Sequence, residues 1–237
     1  MIRNLTLTAL LLFTLPVAAF AALKTEAVQY QDGDTKLKGY LVYDDAIEGK
    51  RPGVIVVHEW WGLDDYAKKR TEMLAELGYV AFAADMYGDD KVTNHADEAS
   101  GWMKQITANV DAWQRRALLG LEILKVHEQV DDSKLAAIGY CFGGATVMQM
   151  ADSGANLDGV VSFHGSLPPA TEEQQKNIKA RVLVAHGVAD TFVPAERIAA
   201  FQTALDAAGT DWQMVAYGGA RHGFTNPGAC EYGIDAL

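Results

Sequence analysis

The chain has few of the residues that define several classes of protein. Its 237 residues include 2 cysteines and 6 prolines, which excludes a small disulfide-bonded scaffold and a proline-rich disordered or collagen-like chain. Basic residues are also in deficit, because 20 Lys and Arg stand against 31 Asp and Glu, and the formal net charge is −11. An acidic protein whose longest basic run is Lys68-Lys69-Arg70 is not expected to bind nucleic acid or anionic lipid. The remaining composition, with 49% hydrophobic residues, is that of an ordinary globular domain.

The first 21 residues have the pattern of a secretory signal peptide. Arg3 is followed by an apolar stretch over residues 5–15 and then by Ala19-Phe20-Ala21, the order of charge, apolar segment and small-residue cleavage site in such peptides. A membrane anchor is the alternative, because residues 4–23 are uncharged, although a proline and several threonines disfavour a stable span. We expect cleavage after Ala21, export to the periplasm or the medium, and one mature domain over residues 22–237 without membrane contact.

Short apolar runs without polar alternation predict strands that are buried on both faces, as in a parallel sheet. These runs occupy residues 54–57, 80–83, 135–138, 160–161, 182–185 and 214–216. Amphipathic patterns over residues 66–77, 110–124 and 198–208 predict helices between strands. Near the start, residues 28–30 and 37–43 flank Asp32-Gly33, which predicts an antiparallel hairpin. The expected fold is a doubly wound α/β domain with a mostly parallel sheet and an N-terminal antiparallel hairpin.

Residues able to do chemistry follow the predicted strands. In a doubly wound sheet the carboxyl ends of the parallel strands meet at one edge, and ligands bind there. The candidates at these strand ends are His58, Glu59, Asp85, Cys141, His164, Asp190 and His222. We therefore expect the functional site at this edge of the sheet.

Cys141 has the sequence context of a nucleophile elbow. The segment Gly139-Tyr140-Cys141-Phe142-Gly143-Gly144 joins a predicted strand to a helix-compatible stretch, which is the setting of the G-x-S-x-G motif with cysteine in place of serine. Glycines two positions before and after the nucleophile avoid a collision across this tight turn. A lone cysteine is more often a small buried hydrophobe. The glycine spacing nevertheless favours a nucleophile, whose thiolate the helix N-terminus would stabilise.

Asp190 and His222 occupy the positions expected of an orienting acid and a base. Each lies on a loop after a predicted strand, and the order Cys141, Asp190, His222 matches the order nucleophile, acid, histidine of α/β-hydrolases. A turn aspartate and a surface histidine are the alternative. His164 and His186 come too early in the chain for the base, so we interpret them as residues that line the site or as satisfied buried polar groups.

The motifs together resemble one protein family. With the cysteine elbow, the segment His58-Glu59-Trp60-Trp61-Gly62 upstream, and Asp190 and His222 downstream, the chain resembles the dienelactone hydrolase family over about residues 25–230. The resemblance implies the α/β-hydrolase fold and hydrolysis of an ester or lactone, carboxymethylenebutenolidase being the family's best-known activity.

The resemblance also assigns roles to individual residues. It implies that Cys141, His222 and Asp190 form a catalytic triad and that Glu59 contacts the resting thiol. It further implies that the oxyanion hole consists of the backbone N–H groups of Trp60 and Phe142.

Glu59 also has a physical role that follows from its charge. A carboxylate beside a thiol disfavours a second negative charge, so Cys141 is expected to rest as the neutral thiol until substrate moves Glu59 or Glu59 takes the proton. The thiolate would then attack the ester carbonyl, and His222 would later activate water against the thioester. A surface carboxylate or a structural partner of His58 is the alternative interpretation of Glu59.

Two departures from the family narrow the expectations. Members that hydrolyse dienelactone carry arginines where this chain has Asp89 and Asn226, so two cationic anchors for a substrate carboxylate are missing, and we do not expect a preference for dienelactone itself. The further candidates for substrate contact are Trp61, Tyr87, His164 and Arg221. The second departure is that the 15 residues after His222 show no helical pattern, so we expect the family's C-terminal helix to be missing from this sequence.

Two other functions remain open. One is a broad carboxylesterase or thioesterase, and the other is a non-catalytic binding protein in which Cys141 is blocked, for example by a disulfide with Cys230. A metal-dependent or nucleotide-dependent enzyme is disfavoured, because the sequence has no His-Glu-x-x-His, no P-loop and no G-x-G-x-x-G after a first strand. We expect a small-molecule ester or lactone as the binding partner, no cofactor or metal, and a monomer.

Overall fold

The computed structural model describes residues 23–168 and 171–234. The predicted signal peptide lies outside these residues. Within them, eight strands form a sheet: β1 (Leu23–Asp32), β2 (Thr35–Asp44), β3 (Arg51–Val57), β4 (Val80–Ala84), β5 (Val130–Tyr140), β6 (Gly159–Phe163), β7 (Arg181–Gly187) and β8 (Trp212–Tyr217).

The strand order confirms the predicted fold class. The strands lie in the order β1-β2-β4-β3-β5-β6-β7-β8. β1 and β2 form an antiparallel hairpin, β2 is also antiparallel to β4, and every later pair is parallel. Each apolar run in the sequence lies within one of these strands. The run in β8 is not buried on both faces as predicted, because β8 is the edge strand and Val215 is 42% exposed.

Helices lie between the strands. In the described residues they are α1 (Asp65–Glu76), α2 (Ala96–Thr107), α3 (Val110–Lys125), α4 (Phe142–Asp152), α5 (Glu172–Lys176) and α6 (Ala195–Ala208). A 3₁₀ helix (Ala229–Tyr232) follows β8. The predicted helices correspond to α1, α3 and α6, whereas α2 and α5 are additional. No helix in the described part of the chain is long and apolar enough to cross a membrane.

The buried face of α1 differs from the predicted apolar stripe. Asp64 caps the helix, and its side chain accepts a hydrogen bond from the Ala67 N–H at 3.0 Å. The buried residues are small, namely Ala67, Thr71 and Ala75, whereas Leu77 is 75% exposed. Small side chains allow the helix axis to lie close to the sheet, so the large apolar residues at the helix end remain outside the contact.

The centre of the sheet forms the rigid support of the site. All five residues of β4 are buried, as are residues 53–57 of β3. Each fully buried aliphatic side chain of this kind contributes about 1.5–3 kcal/mol. This core places the carboxyl ends of β3, β5, β6 and β7 side by side at one edge of the sheet.

A cluster of ion pairs connects the β1–β2 hairpin to α3. The Asp32 carboxylate, 4% exposed, accepts hydrogen bonds from Arg115 Nε at 2.9 Å and Arg116 Nε at 2.8 Å. Arg116 also donates to the carbonyl of Met86 at 3.2 Å, in the loop after β4. Burial raises the pKa of Asp32, but the two guanidinium groups outweigh it, and the pKa lies below its ordinary value.

We expect Asp32→Asn to destabilise the fold by about 1–3 kcal/mol at pH 7, because the half-buried Arg116 loses its counter-charge while the exposed Arg115 contributes little. Since the pKa of Asp32 is lowered on folding, its contribution is present above pH about 4 and is lost as the pH falls through the folded value. Urea unfolding of wild type and variant should therefore converge at low pH. Asp34→Asn, in the exposed turn of the same hairpin, is the control, and equal effects of the two substitutions would contradict the ion-pair role.

Candidate active site

Cys141 lies in a strained turn between β5 and α4. Its φ of 53° is in the left-handed region, which residues other than glycine rarely adopt. A Cβ on Gly139 would lie 2.0 Å from the carbonyl oxygen of Gly143, and a Cβ on Gly143 would lie 2.1 Å from the carbonyl oxygen of Val57. A larger residue at either position would separate the strand from the helix. The two glycines therefore allow the half-buried Cys141 to sit at the N-terminus of α4.

His222 interacts with both Asp190 and Cys141. Asp190 lies in the loop after β7, and its Oδ2 is 2.8 Å from His222 Nδ1. The Asp190 Oδ1 accepts a hydrogen bond from the Phe192 N–H at 2.8 Å, which fixes the carboxylate. Burial lowers the pKa of His222, but electrostatic interaction with Cys141 and hydrogen bonds with Asp190 and Cys141 outweigh it and raise the pKa to about 10. His222 thus lies between the Asp190 carboxylate and the Cys141 side chain.

Glu59 is a buried carboxyl group after β3. It is 4% exposed, its Oε2 accepts a hydrogen bond from Asn226 Nδ2 at 2.8 Å, and its Oε1 lies 3.7 Å from His164 Nε2. Burial raises the pKa of Glu59 to about 7, even though the Asn226 hydrogen bond lowers it. The resemblance implies that Glu59 contacts the thiol; among the described residues, its carboxyl group is held by Asn226, and the Cys141 side chain interacts with His222. A Glu59 that is neutral below pH 7 does not repel the thiolate.

Trp60 and Phe142, whose backbone N–H groups the resemblance assigns to the oxyanion hole, line the same cleft as Cys141. Phe142 is the first residue of α4, where helical N–H groups lack an intrahelical acceptor. Within residues 23–168 and 171–234, neither group donates to another backbone carbonyl outside the regular elements. Both groups are therefore available to a negatively charged oxygen.

The histidines at the other strand ends are buried. His58 is 0% exposed, with Nδ1 at 2.5 Å from the Glu59 carbonyl oxygen and Nε2 accepting from the Met86 N–H at 3.2 Å. His186 is 5% exposed, and its Nδ1 has no partner among the described residues. His164 is fully buried and accepts a hydrogen bond from the Cys141 N–H at 3.0 Å.

A cleft of about 410 Å³ opens beside Cys141. Its walls are mainly apolar, and the aromatic residues among them are Trp60, Trp61, Trp113, Phe142, Phe192 and Tyr232. The Trp61 ring stacks on Tyr232 with a centroid separation of 4.2 Å. Glu59, His222 and Arg197 bring the other ionisable groups. The cleft therefore suits an apolar substrate that carries few charges.

The candidates for substrate contact separate into two groups. Trp61 lines the cleft. Tyr87 and His164 are buried and lie outside the described lining of the cleft. The Tyr87 ring packs on Phe142 with centroids 5.5 Å apart, and burial and then the nearby Cys141 raise its pKa. Arg221 lies on the exposed surface, outside the described lining of the cleft. Strand order indicates the edge at which a residue lies but not the direction of its side chain.

Several lining residues were not among the predicted site residues. Met103 and Thr107 come from α2, Arg197 from the start of α6 and Tyr232 from the 3₁₀ helix. A signal for α2 was present, because Ala99, Trp102, Met103 and Ile106 have helical spacing.

Metal-binding and disulfide chemistry are not seen in the described residues. No group of three or more His, Cys, Asp or Glu there could hold a metal ion. Cys141 and Cys230 are both free thiols, and Cys230 is exposed. The structure thus does not contain the disulfide that would block Cys141.

Comparison with models of protein families shows to which family the chain belongs. The model of the dienelactone hydrolase family matches residues 37–236. This chain belongs to the dienelactone hydrolase family. Membership makes the protein a hydrolase that acts on esters or lactones, with a small-molecule substrate.

The relatives of this dienelactone hydrolase family member are similar to it along most of its length. Protein usf of Aquifex pyrophilus is 29% identical over 206 residues, which cover 85% of this chain and 87% of that protein. A Yersinia pestis protein provisionally named carboxymethylenebutenolidase is 29% identical over 204 residues, covering 80% of this chain and 74% of that protein. Among solved structures, the dienelactone hydrolase-like promiscuous phosphotriesterase P91 from metagenomic libraries is 40% identical, with a TM-score of 0.88 and coverage of 91% and 90%.

Glu59→Gln is expected to change how the reactivity of Cys141 depends on pH. Because the pKa of Glu59 is about 7, the wild-type carboxyl group is mostly neutral at pH 6 and charged at pH 8, where it opposes the thiolate. The rate of iodoacetamide alkylation of the variant relative to wild type should rise from about 1 at pH 6 to several-fold at pH 8, since one pKa unit corresponds to about tenfold.

The control for this experiment is Glu76→Gln, which removes an exposed carboxylate on α1. Since Cys230 is also free, the measurement is made in a Cys230→Ser background. A ratio that stays constant from pH 6 to pH 8 would show that the Glu59 charge does not act on Cys141.

Proposed function

We propose that this protein hydrolyses neutral carboxylic esters or lactones through Cys141 as nucleophile, His222 as proton carrier and Asp190 as the orienting acid. The observation that carries the proposal is the arrangement around His222. One side of the imidazole is bonded to Asp190 at 2.8 Å, and the other interacts with the Cys141 side chain, which lines an apolar cleft. This is the relation of base to nucleophile and orienting group that covalent catalysis requires.

In the acylation step, Cys141 acts as the nucleophile and His222 as the proton donor. The Cys141 thiolate attacks the carbonyl carbon, and the negative charge moves to the carbonyl oxygen, which accepts hydrogen bonds from the N–H groups of Trp60 and Phe142. Collapse of the tetrahedral adduct breaks the bond to the leaving oxygen, which takes the proton of the His222 imidazolium. The products are the alcohol and a thioester on Cys141.

Deacylation uses the now neutral His222. Its free nitrogen takes a proton from water while the water oxygen attacks the thioester carbonyl, and Asp190 stabilises the imidazolium that forms. Collapse releases the carboxylic acid and restores the thiolate–imidazolium pair. Above pH 7 the charged Glu59 would oppose this pair, because it adds a second negative charge to the same buried region.

The charges of the cleft favour neutral substrates. Two arginines would each contribute about 1.5–3 kcal/mol to binding of a substrate carboxylate, but Asp89 and Asn226 occupy those positions. Arg197 lines the cleft, yet its side chain is exposed, and an exposed ion pair contributes only about 0–1 kcal/mol. A neutral phosphotriester, the substrate class named for the similar structure P91, meets the same requirement.

The alternative functions differ in what they predict for Cys141. A broad carboxylesterase or thioesterase uses the same residues and differs only in its substrate profile. A binding protein with a blocked thiol would lack a free Cys141, whereas both cysteines are free here. We also propose that the protein acts after export, on the basis of the signal-peptide pattern.

Cys141→Ala is expected to lower kcat/KM for p-nitrophenyl butyrate by at least about 10³-fold, because the thioester cannot form. Cys141→Ser should retain little activity, since His222 and Glu59 are arranged for a thiolate rather than for an alcohol of much higher pKa. Steady-state kinetics on correctly folded variants provides the measurement. Cys230→Ser is the control cysteine, and wild-type rates in Cys141→Ala would remove Cys141 as nucleophile.

Wild-type protein is expected to prefer a neutral ester to a matched acidic one. For p-nitrophenyl butyrate and the p-nitrophenyl monoester of succinate, kcat/KM should favour the neutral ester by at least about tenfold, because an unpaired carboxylate must be desolvated in the apolar cleft. Dienelactone and a neutral lactone form a second pair. A strong preference for the acidic member of both pairs would contradict the neutral-substrate proposal.

A further inference from the structure

His164 is a buried residue that binds the main chain of the nucleophile turn. It follows β6, and its ring is fully buried. Its Nδ1 accepts a hydrogen bond from the Cys141 N–H at 3.0 Å, and the carbonyl oxygen of Phe163 accepts from the same N–H at 3.0 Å. The N–H of His164 itself donates to the carbonyl of Ala185 in β7 at 2.9 Å. The sheet therefore fixes the ring against the turn that carries Cys141.

The hydrogen bonds of His164 determine its tautomer. A neutral imidazole has one donor and one acceptor nitrogen, so acceptance at Nδ1 places the proton on Nε2. Nε2 lies 2.9 Å from Thr225 Oγ1 and donates to it. Burial and the positive charge of His222 hold the pKa of His164 well below its ordinary value, so the ring remains neutral and keeps this donor–acceptor pattern.

Thr225 belongs to the loop that carries His222, three residues further along the chain. Its hydroxyl is 2.7 Å from the hydroxyl of Tyr66, and its carbonyl accepts a hydrogen bond from Arg70. The rings of His164 and His222 are in edge-to-face contact, with centroids 5.0 Å apart. The base loop is thus held from one side by α1 and from the other by His164.

We propose that His164 is a positioning residue, whose imidazole holds the main chain of Cys141 and the loop of His222 in one fixed relation. The inference rests on the proposed function, because this role matters only if Cys141 and His222 react together. Covalent attack and proton transfer tolerate little misplacement, and an error of about 1 Å can cost on the order of 100-fold in rate. His164 does not line the cleft, so it acts through Cys141 and Thr225.

The pattern of contacts favours positioning over simple packing. Each ring nitrogen of His164 is bonded to a segment that carries one of the two side chains that must meet, namely the elbow at Cys141 and the loop at Thr225. Glu59 Oε1 lies 3.7 Å from the same Nε2, so the third ionisable group of the site packs against the ring as well. Glu59 follows β3, Cys141 follows β5 and Thr225 follows β8. The three segments are far apart in the chain, and contacts with the His164 ring connect them at the site.

Two variants remove the hydrogen bond between His164 and Thr225 in different ways. Thr225→Val removes the acceptor for Nε2–H at nearly constant volume. His164→Asn keeps an acceptor near the position of Nδ1 but does not reach Thr225. In both, kcat for p-nitrophenyl butyrate should fall by at least about tenfold while KM changes less than about twofold. The kcat of His164→Ala, which loses both contacts, should fall further. Relative to this variant, His164→Asn should therefore show a partial rescue of kcat.

Matched substitutions elsewhere separate positioning from stability. Thr71→Val alters a fully buried threonine whose hydroxyl binds the Ala67 carbonyl of its own helix at 2.8 Å. His127→Asn alters a half-buried histidine packed on Tyr43, with ring centroids 4.9 Å apart. Both should lower the Tm as much as the site variants or more, with kcat within about twofold of wild type.

The outcomes distinguish the inference from the proposed function. If Thr225→Val and His164→Asn lower the Tm but leave kcat within twofold of wild type, His164 is a structural residue only and the inference is overturned. If Cys141→Ala also retains turnover, the proposed nucleophile itself fails. An inactive Cys141→Ala, together with a loss of kcat that is partly rescued in His164→Asn, supports both. If His164→Ala does not fold, the kcat and Tm of Thr225→Val and His164→Asn still test whether His164 is a positioning residue.

Discussion

The close approach of β5 and α4 around Cys141 is the constraint on which the candidate site depends. A backbone with φ of 53° at Cys141 costs on the order of 1–3 kcal/mol, and the fully buried centre of the sheet stabilises it. The approach leaves no room for a side chain at Gly139 or Gly143. Its result is a thiol at a helix N-terminus, where the partial positive charge of the helix favours the thiolate.

Burial sets the charges of the groups around that thiol. The pKa of His222 is raised because its interactions with Cys141 and Asp190 outweigh its burial, whereas the pKa of Glu59 is raised because no neighbouring cation is strong enough to offset its burial. Asn226 is central to this difference. An arginine at that position would hold Glu59 ionised, but the neutral amide only donates a hydrogen bond, so the carboxyl group can be neutral near pH 7. The absence of a cation at residue 226 thus changes both the expected substrate and the expected resting state of the nucleophile.

Much of the fold could be predicted from the sequence, because buried parallel strands require continuous apolar runs and because Gly139 and Gly143 are spaced as the elbow needs. The helix α2 was not predicted, although its apolar residues recur at helical spacing. The contribution of its Met103 to the cleft wall was therefore not predicted either. Leu77, the last residue of the amphipathic pattern over residues 66–77, is exposed. Periodicity indicates which residues share a face, whereas the distance between helix and sheet selects the side chains that fit.

The sequence by itself determined the family, the strand–helix alternation and the order of Cys141, Asp190 and His222 along the chain, since these depend on local patterns and chain order. The tertiary structure decided which groups touch. It paired Glu59 with Asn226, left the Tyr87 hydroxyl buried without a hydrogen-bond partner among the described residues, and made His164 a link between two loops. Such contacts join segments that are far apart in the chain, and they depend on side-chain direction and on differences of a few ångströms, which no local pattern of residues encodes.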